Sequence, residues 1–235
     1  MREEFCRSEM LLGPDGMGRL ASSHVLLIGV GGVGGHVAEA LARCGVGHLT
    51  LVDRDTVSLS NLNRQVIALH STVGQPKVQV MRSRILDINP DCRVDARELF
   101  YLPETAGEIS FDGVDYVVDA VDNVTAKLDI ITRAVSMGIP VISCMGTGNK
   151  LHPELLQVTD LAKTSVCPLA RVMRRELRKR GIEHIKVLYS TEEPLHPTDG
   201  EQNAAGHTSP GSVSFVPSVA GLMIAAEAVL TLTGK

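Results

Sequence analysis

The stretch HVLLIGVGGVGG, residues 24–35, sets the fold, because a continuous apolar run leads directly into a glycine-rich loop. An unbroken apolar run is typical of a strand that is covered on both faces, as in a parallel sheet. Gly29, Gly31 and Gly34 have the G-x-G-x-x-G spacing. Such a loop turns tightly and brings backbone N–H groups close to a phosphate at a helix N-terminus. The stretch therefore predicts a nucleotide site, and it is not a Walker-type P-loop because no Gly-Lys-Ser/Thr follows.

Strands and helices alternate along the first 150 residues. Further apolar strands are predicted at 48–53, 92–100, 116–122 and 139–146, and the helices between them begin after the glycines, at Pro76 and at 124. This alternation predicts an α/β fold with a doubly wound, mostly parallel Rossmann-like sheet and helices on both faces.

The two ends of the chain do not follow this alternation of strands and helices. Residues 7–20 predict a short helix, a turn and a second helical turn, because Gly13, Pro14 and Gly16 interrupt them. After about residue 150 the pattern predicts a few extra strands, at 155–160 and 185–190, around a helix at 169–181. A loop at 191–212 and a last helix from Pro217 to Leu232 follow.

Composition excludes several classes of protein. The 235 residues are 44% apolar and 21% charged, as in ordinary globular chains, so disorder and fibrous structure are excluded. The net charge of −4 excludes a uniformly basic nucleic-acid coat, but not a local basic face. The charged N-terminus has no apolar signal core, so we expect a cytoplasmic protein. The apolar stretch Val213–Leu232 carries Glu227, so a buried helix is favoured over a membrane span.

The cysteines predict neither disulfides nor structural zinc. No C-x-x-C pair occurs, and the count of five is odd. We expect Cys144 to lie in the core and Cys167 to lie in a loop, where its reactivity is left open.

Charged residues downstream of the glycine loop favour ATP chemistry. Arg64 and Lys77 bring two cations to the strand ends, where they suit a triphosphate and the pyrophosphate it releases. Asp53 ends the second strand, where a carboxylate can accept ribose hydroxyls. Asp122 is predicted at the end of the fourth strand, and a carboxylate near phosphates implies Mg²⁺. The alternatives are a loop charge for Arg64, a helix-start residue for Lys77 and a helix N-cap for Asp122.

Residues 29–65, together with VGQPKV and INP, resemble the ThiF/MoeB/HesA group, the bacterial relatives of ubiquitin-activating enzymes. The resemblance covers roughly residues 7–150. It implies a homodimer that uses ATP and Mg²⁺, with a monovalent cation left open, to adenylate a carboxylate. Asp122 would hold the metal, and Arg7 would reach across the dimer to act with Arg64, Lys77 and Asp122. By motif position the nucleotide-binding residues are Gly29, Gly31, Gly32, Gly34, Asp53, Asp55, Asn61, Arg64, Gln65, Lys77, Asp122 and Asn123.

The segments at 151–182 and 187–194 are similar to one branch of this group, the tRNA threonylcarbamoyladenosine dehydratases. This resemblance implies adenylation of the threonyl carboxylate on a modified adenosine in tRNA, followed by ring closure by the ureido group and loss of AMP. Val187 stands where some members have a cysteine, so no sulfur-relay role is expected there.

A basic run offers a contact for the RNA. Arg171, Arg174, Arg175 and Arg178 share one helix face. Such a face suits an RNA backbone, and a solvated helix surface is the alternative.

The chain is thus predicted to be a single adenylation domain over 1–235. It would comprise a helical arm (1–23), a nucleotide-binding core (24–150) and a substrate-side extension (151–235). An enzyme that activates a ubiquitin-like sulfur-carrier protein, in partnership with a sulfur-transfer or carrier protein, stays open. So do an NAD(P) oxidoreductase, which Arg64 and Lys77 argue against, and a non-catalytic nucleotide sensor. The loop with His196 and His207 would close over the substrate or be an ordinary loop.

Overall fold

The computed structural model describes residues 3–195 and 210–235, and all the strands named here belong to one sheet. The strand order is β3-β2-β1-β4-β5-β7-β6. Neighbouring strands are parallel except β6, which pairs antiparallel with β7. The predicted doubly wound, mostly parallel sheet with extra C-terminal strands is confirmed. The strands are β1 (His24–Ile28), β2 (His48–Val52), β3 (Arg93–Arg97), β4 (Tyr116–Asp119), β5 (Val141–Cys144), β6 (Leu156–Asp160) and β7 (Lys186–Ser190).

Helices cover both faces of the sheet. Helices α1, α2, α3 and α6 contribute to one hydrophobic cluster, in which Val37, Leu41 and Ile224 are fully buried. Helices α4 and α5 contribute to the other, with Ile130 and Met173 fully buried. The helices are α1 (Cys6–Ser22), α2 (Gly34–Arg43), α3 (Lys77–Ile88), α4 (Val124–Ser136), α5 (Pro168–Arg178) and α6 (Phe215–Thr233).

The N-terminal arm has the predicted break. Gly13, with φ of 75° and ψ of 164°, interrupts the helical geometry of α1 just before Pro14. Only glycine adopts this conformation without strain. The arm is therefore two helical pieces joined at Gly13.

The central strands end earlier than predicted. β1 ends at Ile28, which pairs with Val52 of β2 and Asp119 of β4 in the same register row. Beyond this row the chain leaves the sheet, because Gly29 turns with φ of 94°. Placing Asp122 at the end of the fourth strand was therefore wrong, since β4 ends at Asp119 and Asp122 lies in the turn that follows.

The last helix is half-buried. Among the described residues, α6 is the one helix that is long and apolar enough to cross a membrane. Of its most apolar stretch, 44% is buried inside the protein. It packs against α1 and α2, and its Glu227 is ion-paired with Lys186 of β7. The expected buried helix is thus confirmed for its inner face, whereas Phe215, Leu222 and Leu230 are exposed.

Both cysteine expectations are confirmed. Cys144 is buried in β5, as predicted. Cys167 lies outside the helices and strands, at the N-cap of α5, and it is buried there. The predicted loop at 191–212 lies mostly outside the described residues, as do His196 and His207.

Candidate active site

Two glycines of the glycine loop (residues 29–34) are required for packing. A Cβ atom on Gly34 would lie 1.8 Å from the carbonyl oxygen of Gly29. A Cβ atom on Gly29 would lie 2.6 Å from the carbonyl oxygen of Ala120. These glycines let α2 begin directly against β1 and against the turn after β4.

Gly31 borders open space instead, whereas a Cβ atom on Gly32 would lie 3.3 Å from Cβ of Pro217. A Cβ atom on Gly31 would have Gln65 Nε2 as its nearest neighbour, at 3.9 Å. Among the described residues, the backbone N–H groups of Gly31, Gly32 and Gly34 have no backbone acceptor. Because they surround the N-terminus of α2, they can donate to a phosphate there.

Asp53 fixes the glycine loop to the end of β2. Its Oδ2 accepts a hydrogen bond from Val30 N–H at 2.7 Å, and its Oδ1 accepts one from Asp55 N–H at 2.9 Å. Each carboxylate oxygen can accept more than one bond. Asp53 can therefore hold the loop and still accept hydrogen bonds from a ribose.

Lys77 opens helix α3, and its side chain is 7% exposed. Its Nζ lies 2.9 Å from Asp55 Oδ2, and its backbone N–H donates to the Asp55 carbonyl at 2.9 Å. Lys77 is therefore not simply a solvated helix-start residue.

Arg64 and Asn61 belong to one tight segment. The 3₁₀ turn Leu59–Asn61 is held by Asn61 Oδ1, which accepts from Ser58 N–H at 3.1 Å. Arg64 Nη1 donates to the Ser60 carbonyl at 2.7 Å, and Arg64 Cγ lies 3.6 Å from the position of a Cβ atom on Gly32. The segment thus brings the stem of Arg64 alongside the glycine loop, while Asn61 holds the turn.

Gln65 is buried beside the same loop with an unused acceptor. It is 7% exposed, and its Oε1 has no hydrogen-bond partner. Leaving a buried polar atom unpaired costs about 1–3 kcal/mol. Nε2 of the same amide lies 3.9 Å from the position of a Cβ atom on Gly31, so the Gln65 side chain borders the glycine loop.

Asp122 is exposed in the turn between β4 and α4. It makes no hydrogen bond or ion pair with another described residue, so its carboxylate is available to a ligand. Asp122 is not the N-cap: Asn123 is, and its Oδ1 accepts from Ala126 N–H at 3.0 Å. No group of three His, Cys, Asp or Glu suited to a metal occurs in the described residues. A single free carboxylate fits Mg²⁺ that is shared with phosphates.

Arg7 lies away from these residues in its own chain. Phe5 is within 3.7 Å of the position of a Cβ atom on Gly45, just beyond the C-terminal end of α2. The glycine loop lies at the other end of α2, which at 1.5 Å per residue is about 15 Å away. The structure therefore does not bring Arg7 to the site within one chain.

Motif reasoning missed a buried polar cluster beneath the site. Lys127 Nζ lies 3.0 Å from Asp119 Oδ2, 3.4 Å from Ser143 Oγ and 2.6 Å from the Cys144 carbonyl oxygen. Neither Lys127 nor Asp119 has exposed side-chain surface. One signal was available, because Lys127 shares the apolar stripe of α4 with Ile130, Ile131 and Ala134.

The basic helix α5 presents a cationic depression. Arg174 already makes a hydrogen bond within the protein, because its Nη1 donates to the Thr164 carbonyl at 2.7 Å. Glu176 is ion-paired with Lys179 and Arg175, which lower the pKa of its carboxyl. The residues that line the depression are Arg171, Arg174, Arg175, Arg178 and Lys179.

Asn149 joins two distant segments beyond the end of β5. Its carbonyl accepts from Leu195 N–H at 2.9 Å, and its Oδ1 accepts from Gly211 N–H at 2.6 Å. The neighbouring Lys150 is buried and donates to the Glu192 carbonyl. Burial lowers the pKa of Lys150. These contacts tie the chain after β5 to the segment that follows β7 and to the segment that precedes α6.

The chain is similar to proteins of one known family and to solved structures. A model of the ThiF family matches residues 5–235. The chain is 43% identical over 242 residues to tRNA threonylcarbamoyladenosine dehydratase of Bacillus subtilis, covering 99% of this chain and 95% of the relative. It is 38% identical over 142 residues to the Escherichia coli sulfur carrier protein ThiS adenylyltransferase, covering 58% and 55%. The crystal structure of Escherichia coli tRNA N6-threonylcarbamoyladenosine dehydratase in complex with ATP has a TM-score of 0.90 at 34% identity, covering 99% and 95%.

Proposed function

Because this chain belongs to the ThiF family, we propose that it is an ATP-dependent dehydratase that acts on threonylcarbamoyladenosine in tRNA. The observation that carries the proposal is the glycine loop, which is open at Gly31 and whose N–H groups at Gly31, Gly32 and Gly34 have no backbone acceptor among the described residues. It is flanked by the half-buried Arg64 and by the buried side chains of Lys77 and Gln65. The similarity extends through the substrate-side half of the chain, whereas the carrier-protein enzyme matches only about half of it.

The proposed reaction has two steps. An oxygen of the threonyl carboxylate forms a bond to the α-phosphorus of ATP, and the α–β phosphoanhydride breaks to release pyrophosphate. The ureido group then attacks the activated carbonyl, a C–O bond to AMP breaks, and the ring closes. The net change is loss of water from the substrate with conversion of ATP to AMP and pyrophosphate.

Residues of this chain would bind ATP and balance the negative charge of its phosphates. Donors at the N-terminus of α2 would receive a phosphate, and Asp53 would accept the ribose hydroxyls. Lys77 and Arg64 would balance the negative charge that develops on the leaving pyrophosphate. Asn61 uses its Oδ1 to hold the turn, which leaves its Nδ2 to donate to phosphate. Asp122, with Asn123 capping the next helix, would hold Mg²⁺, which neutralises phosphate charge when bound.

The cationic depression on α5 is proposed as the contact for the tRNA backbone. Phosphates are recognised electrostatically by clustered Arg and Lys, and five such side chains line this surface. Arg171, Arg175 and Arg178 are exposed, so they can rotate toward a ligand. We also propose a cytoplasmic location, where a tRNA substrate would be met, and one adenylation domain across the chain.

The exposed face of α6 is proposed as part of a homodimer interface. Phe215, Leu222, Ala226 and Leu230 follow one another along one side of the helix and are exposed. Met10 and Leu11, near Arg7 on α1, are 81% and 82% exposed. An apolar surface of this kind is typical of an interface. It would bring Arg7 of each protomer toward the nucleotide site of its partner.

Mixing two inactive variants tests the shared site. Arg7→Ala and Asp122→Ala protomers should each be inactive, and mixed dimers should recover activity because one of the two sites is then intact. No recovery in mixtures whose dimers exchange would place Arg7 in its own site or outside catalysis. Monomers in light scattering would contradict the dimer itself.

ATP–pyrophosphate exchange tests the function. Exchange should depend on tRNA that carries threonylcarbamoyladenosine, and the modified nucleoside should lose 18 Da in mass spectrometry, the mass of the expelled water. Unmodified tRNA is the control. Exchange that depends instead on a carrier protein with a C-terminal carboxylate would favour the sulfur-carrier activity, and exchange with neither would contradict adenylation.

A further inference from the structure

The Asp119–Lys127–Ser143 cluster lies outside the residues that the family motifs mark. The three N–H donors of the Lys127 ammonium each have an acceptor among the neighbouring groups, so the buried charge is fully satisfied. Ser143 Oγ also donates to Asp119 Oδ2 at 2.5 Å. Removing two charges from water is costly, and well-packed apolar residues often stabilise a protein equally well. The cluster therefore points to a requirement for position rather than for stability.

The cluster connects the parts of the site. Asp119 Oδ1 accepts from Val121 N–H at 3.2 Å, and Val121 immediately precedes Asp122. Lys127 lies on α4 and reaches the carbonyl of Cys144, the last residue of β5. The turn after β4 is thereby tied to α4 behind it and to β5 beside it.

The same turn supports the glycine loop. The Ala120 carbonyl lies against Gly29 so closely that no side chain fits between them. Ala120 N–H also donates to the Ile28 carbonyl at 2.8 Å. A shift of residues 119–122 would therefore change the distance between Asp122 and the phosphate-binding loop.

We propose that Lys127 is a positioning residue for the adenylation reaction, acting through Asp119 to hold Asp122 at a fixed distance from the glycine loop. Lys127 itself does not reach a substrate, because it is fully buried. The inference rests on the proposed function, in which Asp122 serves the phosphates. A misplacement of about 1 Å can lower a rate about 100-fold, so the expected effect is large.

A double variant, Asp119→Asn/Lys127→Met, removes both charges while nearly preserving side-chain size. We expect ATP affinity in calorimetry to change only a few-fold, because the glycine loop and Lys77 remain. Formation of AMP with modified tRNA should fall about 100-fold. The matched control is Lys186→Met/Glu227→Gln, which removes the ion pair between β7 and α6. Its turnover should equal that of the wild type.

Asp122→Ala in both backgrounds separates positioning from general loosening. If Lys127 acts by positioning Asp122, the loss of turnover caused by Asp122→Ala should be at least about 10-fold smaller in the double variant than in the wild type. The reason is that the double variant has already lost the interaction that Asp122→Ala removes. Equal costs in the two backgrounds, or normal turnover of the double variant, would overturn the proposal. If the double variant fails to fold by circular dichroism, Ser143→Ala replaces it in the same cycle. An inactive wild-type protein would overturn the proposed function and the inference with it, whereas an active wild type with additive losses would overturn the inference alone.

Discussion

Lys77 Nζ lies 2.9 Å from Asp55 Oδ2, and the two side chains differ sharply in exposure, at 7% and 58%. The backbone joins the same pair, because Lys77 N–H donates to the Asp55 carbonyl at 2.9 Å. Lys77 is thus fixed at its base and at its tip by one residue. An exposed carboxylate can turn into solvent when anionic phosphates arrive, whereas the buried stem of the lysine keeps its direction. In the proposed function, the pair would hold the cation in place before the nucleotide binds.

Lys77→Met should lower ATP–pyrophosphate exchange about 100-fold or more, because the charge that balances pyrophosphate is lost. The unfolding midpoint should change little, since an apolar side chain of similar length remains in a buried position. Arg82→Met, at an exposed position on the same helix, is the control and should exchange normally. Exchange by Lys77→Met at the wild-type rate would show that the lysine does not meet phosphate.

Asp55→Asn separates holding Lys77 from binding the nucleotide. The backbone bond between residues 55 and 77 remains, so Lys77 keeps its base but loses the ion pair at its tip. We expect a smaller loss of exchange than in Lys77→Met, of about 10-fold at most. ATP affinity should rise or stay constant, because one competing carboxylate is gone. Affinity measured by calorimetry that falls as far as in Lys77→Met would show that Asp55 itself binds ATP.

The local parts of the site could be predicted from the sequence. The glycine loop and Asp53 directly follow strands with clear apolar patterns, and Lys77 lies at a helix start, whereas Arg64 lies in a polar stretch and was placed by its motif. Neighbouring parallel strands bring their ends together. The end of β4 could not be predicted, because an apolar run does not show where its partner strands stop. Asp122 was therefore placed on the strand, although β4 ends at Asp119.

Contacts between distant residues escaped prediction. The apolar stripe of α4 indicates that Lys127 is buried, but only the fold reveals that Lys127 and Asp119 meet each other and Ser143. The role of Gly34 is similar, since its spacing suggests phosphate binding but its closest neighbour is the Gly29 carbonyl. The sequence shows which residue types are present, but their roles depend on the contacts that they make in the tertiary structure.

Gly31→Ala and Gly34→Ala should fail in different ways. A methyl group on Gly34 would meet a carbonyl oxygen at 1.8 Å, so the backbone must shift, at a cost of about 3 kcal/mol. A methyl group on Gly31 has open space around it, so stability should stay within about 0.5 kcal/mol of the wild type while ATP affinity falls. Chemical denaturation and calorimetry measure the two quantities. Equal stability of the two variants would contradict the packing role of Gly34.

The fold should become less stable when the pH falls below about 6.5, the ordinary pKa of histidine. Burial, and next the nearby His48, lower the pKa of His24, whose ring stacks on His48 at 3.5 Å. Asp95 and Asp115 oppose this shift. The unfolded chain therefore binds a proton more readily than the native one, and stability present above pH 6.5 is lost as the pH falls.

His24→Gln should reduce this pH dependence without abolishing it, because burial also lowers the pKa of His36. The loss in the wild type is at most about 1.4 kcal/mol per pH unit for one group. Urea unfolding between pH 5 and 8 measures it, and His184→Gln, at an exposed position, is the control. A wild-type slope that persists in His24→Gln would assign the dependence to other groups.

Reversal of charge on α5 should weaken binding of tRNA without affecting ATP. Arg171→Glu/Arg175→Glu is the sharper pair, because Arg174 also bonds to Thr164 and its loss would disturb the structure. We expect the Kd for tRNA to rise at least about 10-fold, and the salt dependence of binding to become shallower by about 0.7–0.9 for each phosphate that the variant no longer neutralises. Arg43→Glu/Arg82→Glu makes the same change in charge on helices of the opposite face of the sheet, and it should bind tRNA nearly normally. If both pairs weaken binding equally, attraction depends on net charge and not on α5. If neither does, tRNA binds elsewhere, and the depression is a solvated surface.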